Sequence, residues 1–292
     1  MGNLSTTMER MARLQVQASN GKRILQASDD PIGTGRALNL RSSLSSVAQY
    51  TRNVTLGQGQ IGTVDNTLDS VTKTIADAKR IALSGNNAAT DQATRSNLAI
   101  QIEQDINSII DQMNATYQNQ HIFAGNQTDK NAVVANAGGT PPYIYNGDAG
   151  VRQIPVSDST DIAVSITAAE VLNFNGVVDP ARPNVLTVLV DLRNDLKSGD
   201  LSKMKDHLDQ LDAASQNLVA QRAKMGARGA QLDVYSTHLA DLNLNLSDQL
   251  SQVEDVDLAQ TLTQLSAEQN VYQAALIAAA KLNKQSLADY LT

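Results

Sequence analysis

Three residue patterns in this chain have a spacing that could support chemistry. Gly57, Gly59 and Gly62 in GQGQIG satisfy the G-x-G-x-x-G pattern, whose glycines let backbone amides approach a pyrophosphate. That use requires a strand delivering the loop to a helix start. Here the glycines lie among apolar residues spaced three and four apart, so they are expected inside a helix, where they allow close approach or bending. Asp29 and Asp30 are adjacent carboxylates that could divide acid and base roles. Pro31 follows at once, however, and an Asp before Pro is a helix-start signal: the carboxylate caps orphan amides and the proline ring suits the first helical position. His121, His207 and His238 have neither metal-ligand spacing nor a nucleophile nearby, and they read as surface or interface residues. No triad or paired-acid constellation is present. No catalytic residue, cofactor site or metal site is therefore assigned.

The elements around these patterns explain them better. In residues 19–31, SNGKRILQASDDP, Asn20 and Gly21 supply the left-handed residue that closes a helix. Lys22 and Arg23 are expected to face Ser28, Asp29 and Asp30 across the short connector. From Leu40, apolar residues run through Leu44, Val47, Val54, Ile61, Val64, Leu68, Val71, Ile75 and Ala78, a helical stripe with one slip near Ile61. Ser84, Gly85, Asn86 and Asn87 end it. A second run restarts through Leu98, Ile102, Ile106, Ile109 and Met113, and a short helix around Leu189 and Leu192 ends at Ser198 and Gly199. The longest pattern, from Leu201 to Val253, predicts a helix of roughly 80 Å. Such rods need partners along their whole stripe. The expected fold is mainly α, an elongated antiparallel helical bundle with terminal coiled-coil helices and a small β-rich insertion.

The prolines locate that insertion. Pro31 marks a helix start, whereas Pro141, Pro142, Pro155, Pro180 and Pro183 share one central window, and proline is excluded from helix interiors. Within the window residues 161–167 alternate with Ile162, Val164 and Ile166 on one face, Val151, Ile154 and Val156 form a weaker neighbour, and Asn146, Gly147 and Gly150 turn the chain after residues 143–145. The expected domains are a remnant of a coiled-coil helix at 1–18, bundle halves at 19–127 and 184–253, the β-rich outer insertion at 128–183, and a coiled-coil helix at 254–292.

Composition sets further bounds. The 292 residues are 41% hydrophobic but only 3% aromatic, with no Trp, so the core must be aliphatic. A net charge of −7 opposes a phosphate backbone as partner, and no nucleic acid is expected. There is no Cys, hence no disulfide or thiolate chemistry. The start shows no charged-then-apolar leader, and the longest apolar run, at 274–280, is too short for a bilayer. Membrane insertion is not expected.

The residues of the 19–31 corner, with Gly33 and Ala37 after it, resemble the N-terminal signature of the flagellin superfamily; Gly21, Arg23, Ser28, Asp29, Asp30 and Pro31 carry the match. Near the other end, Arg222, Met225, Gly226 and Ala227 in QRAKMGARGAQLD are similar to the stretch R-x-x-L-G-A on the long C-terminal bundle helix, with Met for Leu. The segment VEDVD at 253–257, followed by Gln273 and Ala274, resembles the C-terminal signature. Within the superfamily, HIFAG at 121–125, with Phe123, Ala124 and Gly125, and the ending SLADYL at 286–291 are similar to the branch that joins hook to filament. The small insertion agrees with that branch.

The resemblance implies a structural role without catalysis: export unfolded through the flagellar type III apparatus without a cleaved signal peptide, prior binding by a dedicated chaperone, and assembly outside the cell. The implied partners are further copies of the chain, hook-associated protein 1 and flagellin. It also puts subunit packing on Leu258, Leu262, Leu265, Tyr272, Leu276 and Ala279, although packing within the chain explains each of these equally well. In the family a longer N-terminal helix precedes the corner motif, and Met1 and Gly2 read as an added start, so a truncated N-terminus is expected. The alternatives are a filament flagellin, which HIFAG and SLADYL disfavour, and an unrelated secreted coiled-coil scaffold or effector, which would lack both end signatures.

Overall fold

A computed structural model describes residues 2–174 and 183–290, with side chains described for residues 4–174 and 183–278. The described elements run α1 (Gly2–Asn20), α2 (Pro31–Gly85), α3 (Gln92–Met113), β1 (Thr116–Tyr117), β2 (Gln120–His121), β3 (Val133–Ala135), β4 (Tyr143–Tyr145), β5 (Gln153–Ser157), β6 (Thr160–Ala163), α4 (Ala168–Leu172), α5 (Val185–Ser198), α6 (Met204–Glu254) and α7 (Leu258–Tyr290). They divide into two compact units, one of Met1–Ala48 with Ala240–Thr292, the other Gln49–Leu239.

In the second unit α2 and α6 run antiparallel. Gln58 bonds Asp233 at 2.7 Å, Arg222 bonds Asp65 and Asp69 at 3.0 and 2.8 Å, and Lys79 bonds Asp212. The core of α6 follows a strict seven-residue repeat: Met204, Leu211, Leu218, Met225, Leu232 and Leu239 are each buried, the seam of a coiled coil. On α2, Val54, Ile61, Val64, Leu68, Val71, Ile75 and Ala78 are buried opposite. The apparent slip near Ile61 is Gly57 in a core position. A Cβ there would lie 2.4 Å from Ile154 Cδ1 and 3.1 Å from Leu232 and Val164, so the absent side chain is the room these three occupy.

Helix ends follow the sequence signals. Asp91 caps α3 by accepting from Thr94 N at 2.7 Å, Asn184 caps α5 through Thr187 N at 2.8 Å, and Gly199 closes α5 at φ 75°. Pro183 is described, whereas Pro180 lies outside the described residues.

The strands form three separate antiparallel pairs, β1–β2, β3–β4 and β5–β6. The first, at 116–121, lies ahead of the insertion expected from residue 128. The alternation at 161–167 yields strand only through Ala163. Beyond it the Val164 amide donates to Arg152 O and Ser165 Oγ accepts from the Arg152 amide, after which Thr167 caps α4. Val164 and Ile166 are buried all the same, and so are Ser165 and Thr167, so beyond Ala163 the polar half of the alternation does not face solvent.

Candidate functional site: the connector corner and the terminal helix pair

In the first unit the signature residues gather at one corner. Gly21 adopts φ 68° and closes α1. Asp30 Oδ1 accepts from Gly33 N at 2.8 Å, capping α2 as its position before Pro31 predicts. Asp29 instead closes the connector, taking the amides of Leu25 and Gln26 at 3.1 and 2.9 Å. Those amide bonds hold its carboxyl below the usual range, and the Gly33 amide, then Arg23, does the same for Asp30. Both carboxylates are thus spent on backbone, which leaves no acid–base pair. Ser28 is exposed beside Gln26.

One expectation is corrected here. Arg23 does reach Asp30, at 3.1 Å, but Lys22 turns away from the acidic half of its own connector. It pairs with Asp255 at 2.6 Å and Glu254 at 3.4 Å. The cause is backbone pairing: Arg23 N donates to Glu254 O at 2.6 Å and Val256 N to Gly21 O at 3.0 Å, an antiparallel bridge that carries the Lys22 side chain to the other connector. Glu254, buried, also takes Arg41 at 2.8 Å. Asp257 Oδ1 accepts from Gln260 N and caps α7. Sequence reading saw VEDVD only as a signature; its acidic spacing opposite a Lys-Arg pair was the available signal.

From this corner α1 and α7 run antiparallel, with Arg10 near Glu268 and the Tyr272 hydroxyl 3.7 Å from Met8 Sδ. Of the packing candidates, Leu265 and Tyr272 are half-buried, while Leu258, Leu262 and Leu276 are 49%, 52% and 42% exposed. Ala279 lies outside the described side chains. The exposed three recur at near-whole turns of α7 on a face beside the α1-facing one, where Gln269 and Gln273 separate Leu262 from Leu276. Met8 is 52% exposed, and Thr7 stands half-buried beside it.

In the second unit HIFAG is a packing node. Phe123 and Ala124 are fully buried, Phe123 O accepts from Ala168 N at 2.9 Å, and Ala124 O accepts from Asp148 N at 3.2 Å. Gly125 adopts φ 72° with no room for a Cβ beside Asp148. Gly226 and Ala227 are exposed on α6, and a Cβ on Gly226 would meet nothing within 4 Å. The histidine reading is corrected in part: His238 is exposed and His121 half-buried against Asn114 O, but His207 is buried with Nε2 2.8 Å from Asp195. Among the described residues no group of three His, Asp or Glu could hold a metal. No described helix is long and apolar enough to cross a membrane.

Paired terminal helices, a long two-helix seam and exposed leucines on α7 define a helical packing protein. The sequence patterns of the bacterial flagellin N-terminal and C-terminal helical regions match residues 1–128 and 208–291, and the chain belongs to the flagellin family. It is 24% identical to flagellar hook-associated protein 3 of Salmonella typhimurium, over 94% of this chain and 90% of that one. It is 31% identical to the flagellar filament 41 kDa core protein of Borreliella burgdorferi, over 60% of this chain and 53% of that one. A solved flagellar hook-associated protein from Vibrio parahaemolyticus superposes with a TM-score of 0.71 at 23% identity, over 78% of this chain and all of that one.

Proposed function

We propose that this chain is a structural subunit of the bacterial flagellum at the junction between hook and filament, acting by self-assembly and helix packing without catalysis. The observation that carries the reading is the extent of likeness. The match to hook-associated protein 3 runs through nearly all of both chains, insertion included, whereas the match to the filament protein stops at about half of it. HIFAG, buried at the node above, and SLADYL point the same way.

On this reading the subunit is exported to the cell exterior by the flagellar apparatus, bound beforehand by a dedicated chaperone. It then packs against its own copies, hook-associated protein 1 and the first flagellin subunits. Leu258, Leu262 and Leu276, together with Ala279 on the family resemblance, supply the apolar contact between subunits, while Leu265 and Tyr272 serve the α1 seam. Residues 128–183 are the β-rich insertion of the subunit, seated on the second unit's helices through Ile154 and Val164 at Gly57.

The test is assembly on isolated hook–basal bodies. Purified chain should add to ends capped by hook-associated protein 1, stop after a short layer, and render those ends able to seed flagellin. Growth of long filaments from the chain alone would refute the junction role in favour of a filament subunit.

A further inference from the structure

The first unit joins two connectors that lie 233 residues apart. Besides the backbone bridge, Lys22 spans Asp255 and Glu254, and Arg23 Nη2 donates to Val253 O at 2.8 Å. Ser251 Oγ holds the second oxygen of Asp255 at 2.6 Å. The Lys22 ammonium is stabilised in its charged form by the Asp255 carboxylate, and the Asp255 carboxyl is lowered in turn. The corner is therefore specific in direction, charge and chain position.

The helix pair that leaves it is not. On α1 the half-buried positions Leu4, Thr7, Met11, Leu14 and Ala18 recur at three and four; on α7 buried Thr261 and half-buried Leu265, Glu268, Tyr272 and Ala275 do likewise. A seam with this repeat offers nearly the same surface after a slip of seven residues, and such seams depend on a polar contact to fix their alignment. Two polar contacts along the seam are poor keys. Arg10 sits 3.8 Å from Glu268 with its side chain 67% exposed, and the Tyr272–Met8 contact is to a thioether, a weak acceptor. The connector contact is the better key: Lys22 is 40% exposed, but it pairs with Asp255 at 2.6 Å and shares with Arg41 the Glu254 carboxylate, whose side chain is 6% exposed, and a buried carboxylate that loses a partner is costly.

We propose that Lys22 and Arg23, clamped on residues 253–255, are the register key of the terminal helix pair, selecting one among seven-residue-shifted alignments of α1 and α7. The key fixes where Leu258, Leu262 and Leu276 lie relative to α1. That consequence for assembly rests on the function proposed above; the alignment itself does not.

The chain has no cysteine, so introduced pairs report cleanly on the dilute full-length monomer. Met8→Cys with Tyr272→Cys samples the native alignment, and Met8→Cys with Leu265→Cys the alignment shifted by seven. With the key intact, a short bis-maleimide should link the first pair and not the second. In a Lys22→Ala/Arg23→Ala background the ratio of native to shifted product should fall at least about tenfold, the scale of losing one charge-assisted anchor. Lys22→Arg/Arg23→Lys, which keeps both charges, should preserve it. An unchanged ratio in the alanine background would overturn the proposal. So would loss of both products, which would make the corner a tether and not a key, or an equal fall in the charge-conserving variant. Because the measurement is made on monomer, it stands apart from success or failure of assembly on hooks.

Discussion

Asp105 on α3 gives the sharpest quantitative test of the packing in the second unit. Its Oδ2 is shut off from solvent and has no hydrogen-bond partner among the described residues. Burial, reinforced by the Asp77 carboxylate of α2 and only partly offset by Arg80, pushes its carboxyl up to about 6. Because the folded value lies above the unfolded one, the ionised form is disfavoured by folding. The cost is present in full above the folded value and is relieved as pH falls from about 6 toward 4. Raising the carboxyl from its ordinary value to about 6 corresponds to ~3 kcal/mol; since the side chain is only partly buried, solvent screening reduces this to ~1 kcal/mol. Asp105→Asn, which keeps the shape and removes the charge, should raise the melting temperature at pH 7 by about 2 to 4 °C for a unit of this size. At pH 4.5 the gain should largely vanish, because the wild-type group is then protonated. The assay is thermal unfolding followed by circular dichroism on both proteins at the two pH values. Carboxyls lowered in the fold, such as Asp69, Asp91 and Asp200, act in the opposite sense. Their stabilisation is present above the unfolded value and lost below it, and it cancels in the wild-type-to-variant difference. A variant that melts lower at pH 7, or a gain that does not depend on pH, would refute the reasoning.

Other positions can be tested by the same melting and exchange measurements. Gly57→Val should cost about 1 to 3 kcal/mol by overpacking against Ile154, Val164 and Leu232, while Gly62→Ala on the same helix, where a Cβ meets nothing, should be neutral or stabilise by up to ~1 kcal/mol; equal effects would mean that the glycine spacing is not about packing. Phe123→Ala should cost about 3 to 5 kcal/mol, and a loss under ~1 kcal/mol would show that HIFAG is not the node described. In dilute monomer, amides from Leu265 to Ala278 should exchange faster than those of α6 between Met204 and Leu239, because the α1–α7 seam is only half-buried on both sides. Equal protection would show that the terminal pair needs no further partner.

Local signals in the chain set the long helices and most of their ends. A stripe at three and four, an Asp before Pro31, an Asn-Gly pair at 20–21 and a glycine at 199 are local signals, because helix formation and capping are decided within a turn of the residue concerned. The family signatures at both ends were equally legible, since they consist of residue types at fixed spacing. Partners distant in the chain depended on how the helices and connectors came together. Lys22 could be read as facing Asp29 or Asp255 with equal chemical sense, and the backbone bridge to residues 254–256 made the choice. His207 reads like His238 in sequence, yet one is buried on Asp195 and the other exposed. The glycine at 57 looked like a slip in a stripe until a β-segment about a hundred residues later filled the space. Each of these turns on which surfaces meet, and a linear pattern specifies the face a residue occupies but not what is packed against it.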